Sequence, residues 1–380
     1  MDSVSDEFVE RRPLPEFDGW RRARGRRIPL SFDLEVTARC NNDCRHCYIN
    51  LPADDCEAAA RELSLEEILR IAGEAVELGA IWCLVTGGEP LLRRDFAAIY
   101  SGLTSLGLLV SVFTNACLVR DEHVRLFRDR PPRNLEVSVY GATRDTYERV
   151  TRRPGSFGAF RRGVDRLLEG GVPVRFKAMA LRSNVHELPE IAAFCRARTG
   201  RSFRFDPLLH LRYDGDAARN DEIRAERLSG DEIVAIEQAD EERRESLRRG
   251  ADTLIGPDDD SVIACGEDAR GAVLFRCGAG TSSFAVSDDG RFRLCSSLWQ
   301  PDTLYDLRRG TLRGAWEEHV PRVLALRSDD PSYLARCARC ALVNLCLWCP
   351  AHAYLETGRL DAPVDAFCAV AQARRRAVEG

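Results

Sequence analysis

The chain has 380 residues, 44% hydrophobic and 30% charged, with a formal net charge of -5. This is the make-up of a globular protein long enough for two domains, and its weakly acidic balance argues against a nucleic-acid binder held by phosphate contacts. The polar start MDSVSDEFVERR is not a secretory signal, and no apolar run approaches the ~18 residues that span a bilayer, so a cytoplasmic protein with no membrane or nucleic-acid partner is expected.

Residues 1–29 read as a polar arm with seven arginines between Arg11 and Arg27, either solvated or a docking strip for an acidic peptide. From 30 to 210, strand-like and helix-like stretches alternate. LSFDLEVT is the first strand. SLEEILRIAGEAVELG follows as a helix, with Ser64 as N-cap, Glu67 three residues on, and Leu65, Ile68, Leu69, Ala72 and Val76 at helical spacing. AIWCLVT is strand two and RDFAAIYSGLTSLG a helix. LLVSVFTN and NLEVSVYG are strands three and four, with a helix over 158–169. PVRFKAMAL is strand five, ELPEIAAFCRARTG a helix, and FRFD strand six. Such repeats imply parallel strands covered by helices, with ligands at the C-terminal strand ends. Residues 211–270 form a charged bridge, read as one exposed amphipathic helix with polar flanks. TSSFAVS and RFRLCSS flank Asp289-Gly290, a hairpin signal, within a cysteine-rich region at 271–370; a basic tail at 371–380 ends the chain.

Fifteen cysteines are many for a reducing compartment, and they are unevenly placed. Three lie in Cys40–Cys47, seven between Cys277 and Cys368, and five are scattered. Cys40, Cys44 and Cys47, at C-x3-C-x2-C where strand one ends, could bind three irons of a [4Fe–4S] cluster and leave the fourth open. Spacing alone equally allows a zinc site completed by His46 or Cys56.

The wider sequence resembles the radical S-adenosylmethionine (radical SAM) enzymes. LEVTARCNNDCRHCY matches their cysteine signature, and TGGEP at the next strand end matches their Gly-Gly-Glu motif. The resemblance implies a partial (β/α)6 TIM-type barrel of the α/β class over 30–210. It implies that Cys40, Cys44 and Cys47 ligate iron and that S-adenosylmethionine (AdoMet) chelates the fourth iron. Gly87 and Gly88 would allow close backbone approach, and Glu89 would accept from the methionyl ammonium. Asn115, Ser138 and His46 resemble positions that contact the cofactor. The implied chemistry is one-electron cleavage of AdoMet to methionine and a hydrogen-abstracting 5′-deoxyadenosyl radical, with a reductase or flavodoxin-type electron donor.

The C-terminal cysteines resemble the SPASM extension of peptide-modifying radical enzymes. That likeness implies two auxiliary iron–sulfur clusters, one on Cys277, Cys295 and Cys349, the other on Cys337, Cys340, Cys346 and Cys368. The first set lacks a fourth thiol unless Cys265 or a non-cysteine group supplies it. The two-residue spacing between Cys346 and Cys349 departs from the usual three. A zinc ribbon on Cys337, Cys340, Cys346 and Cys349 is the alternative. Cys83, Cys117 and Cys195 read as packing residues. Lys177 is the only lysine. Asp206, ending strand six, either takes a proton from a substrate radical or caps a loop.

The expected function is therefore modification of a ribosomally made peptide or small protein by crosslinking, epimerisation or oxidation. A leader peptide would use a separate binding protein or the arginine arm. The alternatives are a small-molecule radical dehydrogenase or haem-precursor enzyme, and a metal-bound scaffold or electron-transfer module without turnover.

Overall fold

The computed structural model describes residues 25–200, 203–241, 244–245, 247–248, 273–275, 277–338 and 340–379. Residues 1–24 of the arginine arm, and Cys265, lie outside them. One nine-stranded sheet organises the chain. The six expected strands are β1 (Ser31–Glu35), β2 (Trp82–Thr86), β3 (Leu109–Thr114), β4 (Asn134–Ser138), β5 (Arg175–Met179) and β6 (Arg204–Asp206), each parallel to the next. Successive side chains alternate between faces. Phe32, Leu34, Cys83, Val85, Val110 and Val112 pack under the helices, whereas Asp33, Leu84, Thr86 and Phe113 face a cavity.

Helix α1 (Leu65–Glu77) starts where expected. Ser64 N–H donates to Glu67 Oε2 at 2.8 Å, Glu67 N–H donates to Ser64 Oγ at 3.2 Å, and Ile68, Ile71, Ala72 and Ala75 face the core. The outer layer continues with α2 (Phe96–Ser105), α3 (Asp121–Asp129), α4 (Arg144–Thr151), α5 (Ser156–Glu169) and α6 (Leu188–Thr199). The sequence reading leaves out α3 and α4.

The charged bridge departs from the single exposed helix expected. It breaks into α7 (Ala217–Glu226) and α8 (Gly230–Ala239), because Ser229 and Glu232 make a fresh capping box. Ile223, Ile233, Val234 and Glu237 are buried. The basic tail is likewise packed, as the last turns of a helix over Asp365–Glu379. There Arg374 donates to both oxygens of Glu237 at 3.0 and 2.6 Å and to the Leu345 carbonyl at 2.9 Å.

The hairpin forms as β7 (Ser283–Val286) and β8 (Arg291–Arg293), turning at Gly290 with φ +87°, and the short β9 (Tyr305–Asp306) follows. Strand β7 pairs in parallel with β1, so the cysteine-rich region continues the barrel sheet in the order β9-β8-β7-β1-β2-β3-β4-β5-β6. Among the described residues β6 and β9 are the free edges, and the barrel is partial. Phe32 stacks on Phe284, and Phe284 on Phe292, both at 5.2 Å. Beside this stack Glu35 and Arg293, both fully buried, form an ion pair. Arg293 also donates to the Ser296 carbonyl at 2.7 Å and lies 3.8 Å from the Trp299 ring centre. Among the described residues no helix is long and apolar enough to cross a membrane.

Removing one partner of a buried ion pair leaves the other charge uncompensated. Arg293→Met should lower the unfolding free energy in urea by about 3–5 kcal/mol, and adding Glu35→Met should recover most of that loss. A single variant as stable as the parent would contradict this account of the junction.

Candidate active site

A cavity of about 360 Å³ opens at the C-terminal ends of the barrel strands. Cys40, Asn42, Cys44, His46 and Cys47 form one wall, and Gly87, Gly88, Asn115 and Ser138 another. Lys177, Asp206 and His210 line it, as do Ser296 and Ser297, which follow Cys295.

The cysteine loop is anchored on both sides. Gly88 N–H donates to the Thr37 carbonyl at 2.6 Å and Glu89 N–H to the Arg39 carbonyl at 2.9 Å. A Cβ at Gly87 would lie 2.2 Å from Thr37 O, one at Gly88 2.2 Å from Arg39 O, and Gly87 has φ +135°. The two glycines thus serve the approach of one loop to the next. From the bridge, Arg219 donates to the Cys44 carbonyl at 3.1 Å, and Arg212 donates to the Cys47 carbonyl at 3.4 Å and to Asn50 Oδ1 at 3.0 Å. Asp214 and Asp43 balance these guanidiniums. The sequence reading missed both arginines, since a charge-rich stretch with no motif reads by default as a solvated face.

Glu89 is fully buried behind the cavity wall. Its Oε1 accepts from Thr114 Oγ1 at 2.8 Å and Leu91 N–H at 3.1 Å, and its Oε2 from Asn115 N–H at 2.7 Å. Burial raises its carboxyl to about 7 against these bonds. Asn115 passes the order on, donating to Asn41 Oδ1 at 2.8 Å while its own Oδ1 accepts from Cys117 N–H at 2.9 Å. The His46 ring lies 4.9 Å from Tyr140. His46 Nδ1 and Asn42 Oδ1, both buried, have no hydrogen-bond partner among the described residues. Burial and then the Arg219 charge lower His46 to about 4, so it is neutral at pH 7. Asp206 is exposed, with Oδ1 accepting from Leu208 N–H at 3.0 Å.

The thiols fall into three neighbourhoods. Cys44 is held well above the usual thiol range by burial and by Cys40 and Cys47; burial also raises Cys40 and Cys47. Cys117, expected to be a packing residue, adds to the field on Cys40 and Cys44 but does not line the cavity. Burial pushes Cys349 to about 12, with Cys295 and Cys277 adding to it. Cys337 is pushed to about 11 by burial and then by Cys368, Cys346 and Cys340. Cys277, Cys295 and Cys349 are thus near enough to feel one another's charge, as are Cys337, Cys340, Cys346 and Cys368. Cys56 is exposed and does not line the cavity. Among the described residues no three His, Cys, Asp or Glu side chains are close enough to hold a single metal ion. Three thiols on one cavity wall, Cys44 buried and Cys40 and Cys47 partly so, suit thiolates only where cationic iron offsets their charge, so the loop's donor types fit a cluster. The unpartnered atoms of Asn42 and His46 fit a polar ligand beside it.

Comparison with known proteins agrees with this architecture. Residues 34–195 match the profile of the radical SAM superfamily. The AdoMet-dependent heme synthase of Methanosarcina barkeri is 26% identical, over 87% of this chain and 93% of that one. A PqqA peptide cyclase of Rhodopseudomonas palustris is 29% identical over 43% of each chain, so the match spans less than half of that relative. Streptococcus suis SuiB, solved with its precursor peptide SuiA, superposes with a TM-score of 0.67 at 15% identity, over 96% of this chain and 83% of that one, a likeness of fold. Residues 34–195 are thus similar to the radical SAM superfamily, a family of enzymes that carries a [4Fe–4S] cluster and AdoMet.

His210 provides a pH test of the cavity wall. Its Nδ1 is 3.2 Å from Ser297 Oγ and its ring 4.2 Å from that of His352. Burial, then the charge of His352, lowers it from 6.5 to about 3. The unfolded chain therefore takes up the proton first, and stability falls as pH drops from 6.5 towards 3. His210→Gln should flatten that limb of the pH–stability curve by up to one proton. An unchanged slope would contradict burial of a neutral imidazole here.

Proposed function

We propose that this enzyme cleaves AdoMet reductively and uses the resulting radical to modify a ribosomally synthesised peptide or small protein. Cys40, Cys44 and Cys47 would hold the cluster, and with an external one-electron donor the cluster and AdoMet would supply the radical chemistry. Glu89 fixes the loop after β3 through Thr114 and the Asn115 backbone. Asn42 Oδ1 and His46 Nδ1 offer unused polar atoms to the cofactor, with Ser138 and Asn115 on the opposite wall and Gly87 and Gly88 shaping its edge. Asp206, exposed at the rim, would accept the substrate proton. Cys277, Cys295 and Cys349 would carry one auxiliary cluster, and Cys337, Cys340, Cys346 and Cys368 a second.

The observation that carries the peptide reading is that Ser296 and Ser297, beside Cys295, line the same cavity as the cysteine loop. A radical cleft bordered by a second thiol-rich domain suits an extended substrate. The likeness to a PqqA peptide cyclase and to SuiB bound to its precursor peptide supports it. A leader-binding protein and a flavodoxin-type donor are part of the proposal. A second reading, action on a haem precursor, is favoured by the heme synthase that matches nearly the whole chain.

The anaerobically reconstituted protein with dithionite and AdoMet should release 5′-deoxyadenosine and methionine, and Cys44→Ala should reduce release to background. Co-expression with short open reading frames of the native locus should give a peptide lighter by two or more hydrogens, or one that takes up deuterium from solvent. Cleavage stimulated by a tetrapyrrole and by no peptide would favour the second reading.

A further inference from the structure

Of the 55 lysine and arginine residues, Lys177 alone is a lysine. It sits on β5 in register with Ser138 of β4 and Arg204 of β6, and it lines the cavity. Its Nζ stands 3.1 Å from the centre of the Phe113 ring. Among the described residues its ammonium makes no hydrogen bond or ion pair. A cation–π contact restores only part of the hydration that a half-buried ammonium loses, so its three donors lack acceptors.

The nearby acids are otherwise engaged. Glu136 pairs with Arg204 at 3.4 Å, both oxygens of Glu89 accept from the β3 end and from Leu91, and Asp206 accepts from Leu208. Asp33, also on the cavity wall, feels the Lys177 charge but makes no ion pair with it; burial raises its carboxyl to about 6, so at pH 7 it is still mostly ionised. Arg204 is largely exposed and bound to Glu136, so the cation on offer is the Lys177 ammonium, which burial makes easier to deprotonate, lowering it to about 7. One point charge suits a carboxylate rather than a phosphate dianion, which gathers several donors.

We propose that Lys177 binds a carboxylate of the substrate inside the radical cavity and so sets which part of the substrate faces the reacting centre. The inference rests on the cavity being the radical site. The carboxylate belongs to an acidic side chain of a peptide or to a propionate of a tetrapyrrole, and the chemistry at Lys177 is the same for both.

Its being the sole lysine makes the test direct. Full-length, cluster-loaded protein is treated anaerobically with a small amount of acetic anhydride, and acetylation of Lys177 is read by peptide mass spectrometry against an added reference peptide. Saturating N-acetylglutamate N-methylamide, or a propionate-bearing porphyrin, should slow acetylation at least tenfold relative to the uncharged glutamine analogue. Protection by the glutamate probe assigns a peptide carboxylate, and protection by the porphyrin alone assigns a propionate. Lys177→Met, which keeps length without charge, should weaken binding of the protecting probe at least tenfold, while Lys177→Arg retains part of it. Equal acetylation with charged and uncharged probes, or protection by AdoMet alone, overturns the proposal. AdoMet cleavage is followed on the same wild-type samples. Cleavage without a Lys177 effect discards the carboxylate site alone, whereas no cleavage discards the radical reading as well.

Discussion

Glu35 and Arg293 meet in a fully buried ion pair between the strand that leads into Cys40 and the strand that leads into Cys295. Two charges taken out of water are repaid only when geometry and further hydrogen bonds are good. Here Arg293 also reaches the Ser296 carbonyl and the Trp299 face, and Tyr48 stands 3.5 Å from Glu35 Oε1. The pair and the parallel pairing of β7 with β1 fix the cysteine-rich region against the barrel. Ser296 and Ser297 thereby become cavity wall. A hairpin attached elsewhere on the sheet would leave the cysteine loop facing solvent.

The same arrangement explains why there is a cavity. A closed eight-stranded barrel fills its interior with layers of branched side chains. In this chain β1 turns to β7, so β6 has no partner on its outer side among the described residues. Beside Leu84 and Phe113, the inward positions include Asp33, Thr86, Ser138, Lys177 and Asp206, which resist collapse into a dry core. The polar interior is affordable only as a binding site. Arg212 and Arg219 reach over the cysteine loop from the bridge, tying to its carbonyls the two helices that join barrel and extension.

What sequence revealed and what it hid follow from the range of the interactions. The six strands, the Ser64–Glu67 cap, the Asp289-Gly290 hairpin and the cysteine loop are written in a few adjacent residues, and all appear in the structure. The pairing of β7 with β1 leaves no local mark, because it joins residues some 250 positions apart. Partners of charged residues are equally invisible. Arg374 reads as part of a basic tail until Glu237 meets it, and Arg219 as a solvated helix residue until it reaches Cys44 O. Gly87 and Gly88 were legible as a motif, but their steric reason, contact with Thr37 and Arg39, required the fold. Lys177 was conspicuous as the sole lysine, yet only the structure gives its unpaired position over Phe113.

We propose that three groups of thiols, one in the cavity and two in the extension, each hold an iron–sulfur cluster. Counting iron, acid-labile sulfide and zinc per chain after anaerobic reconstitution tests it most directly. Three cubic clusters give roughly twelve irons with matching sulfide and almost no zinc, and replacing Cys337 and Cys340 together by alanine should remove roughly four of those irons. About four irons accompanied by one or two zinc ions would contradict the account and make the extension a structural zinc domain.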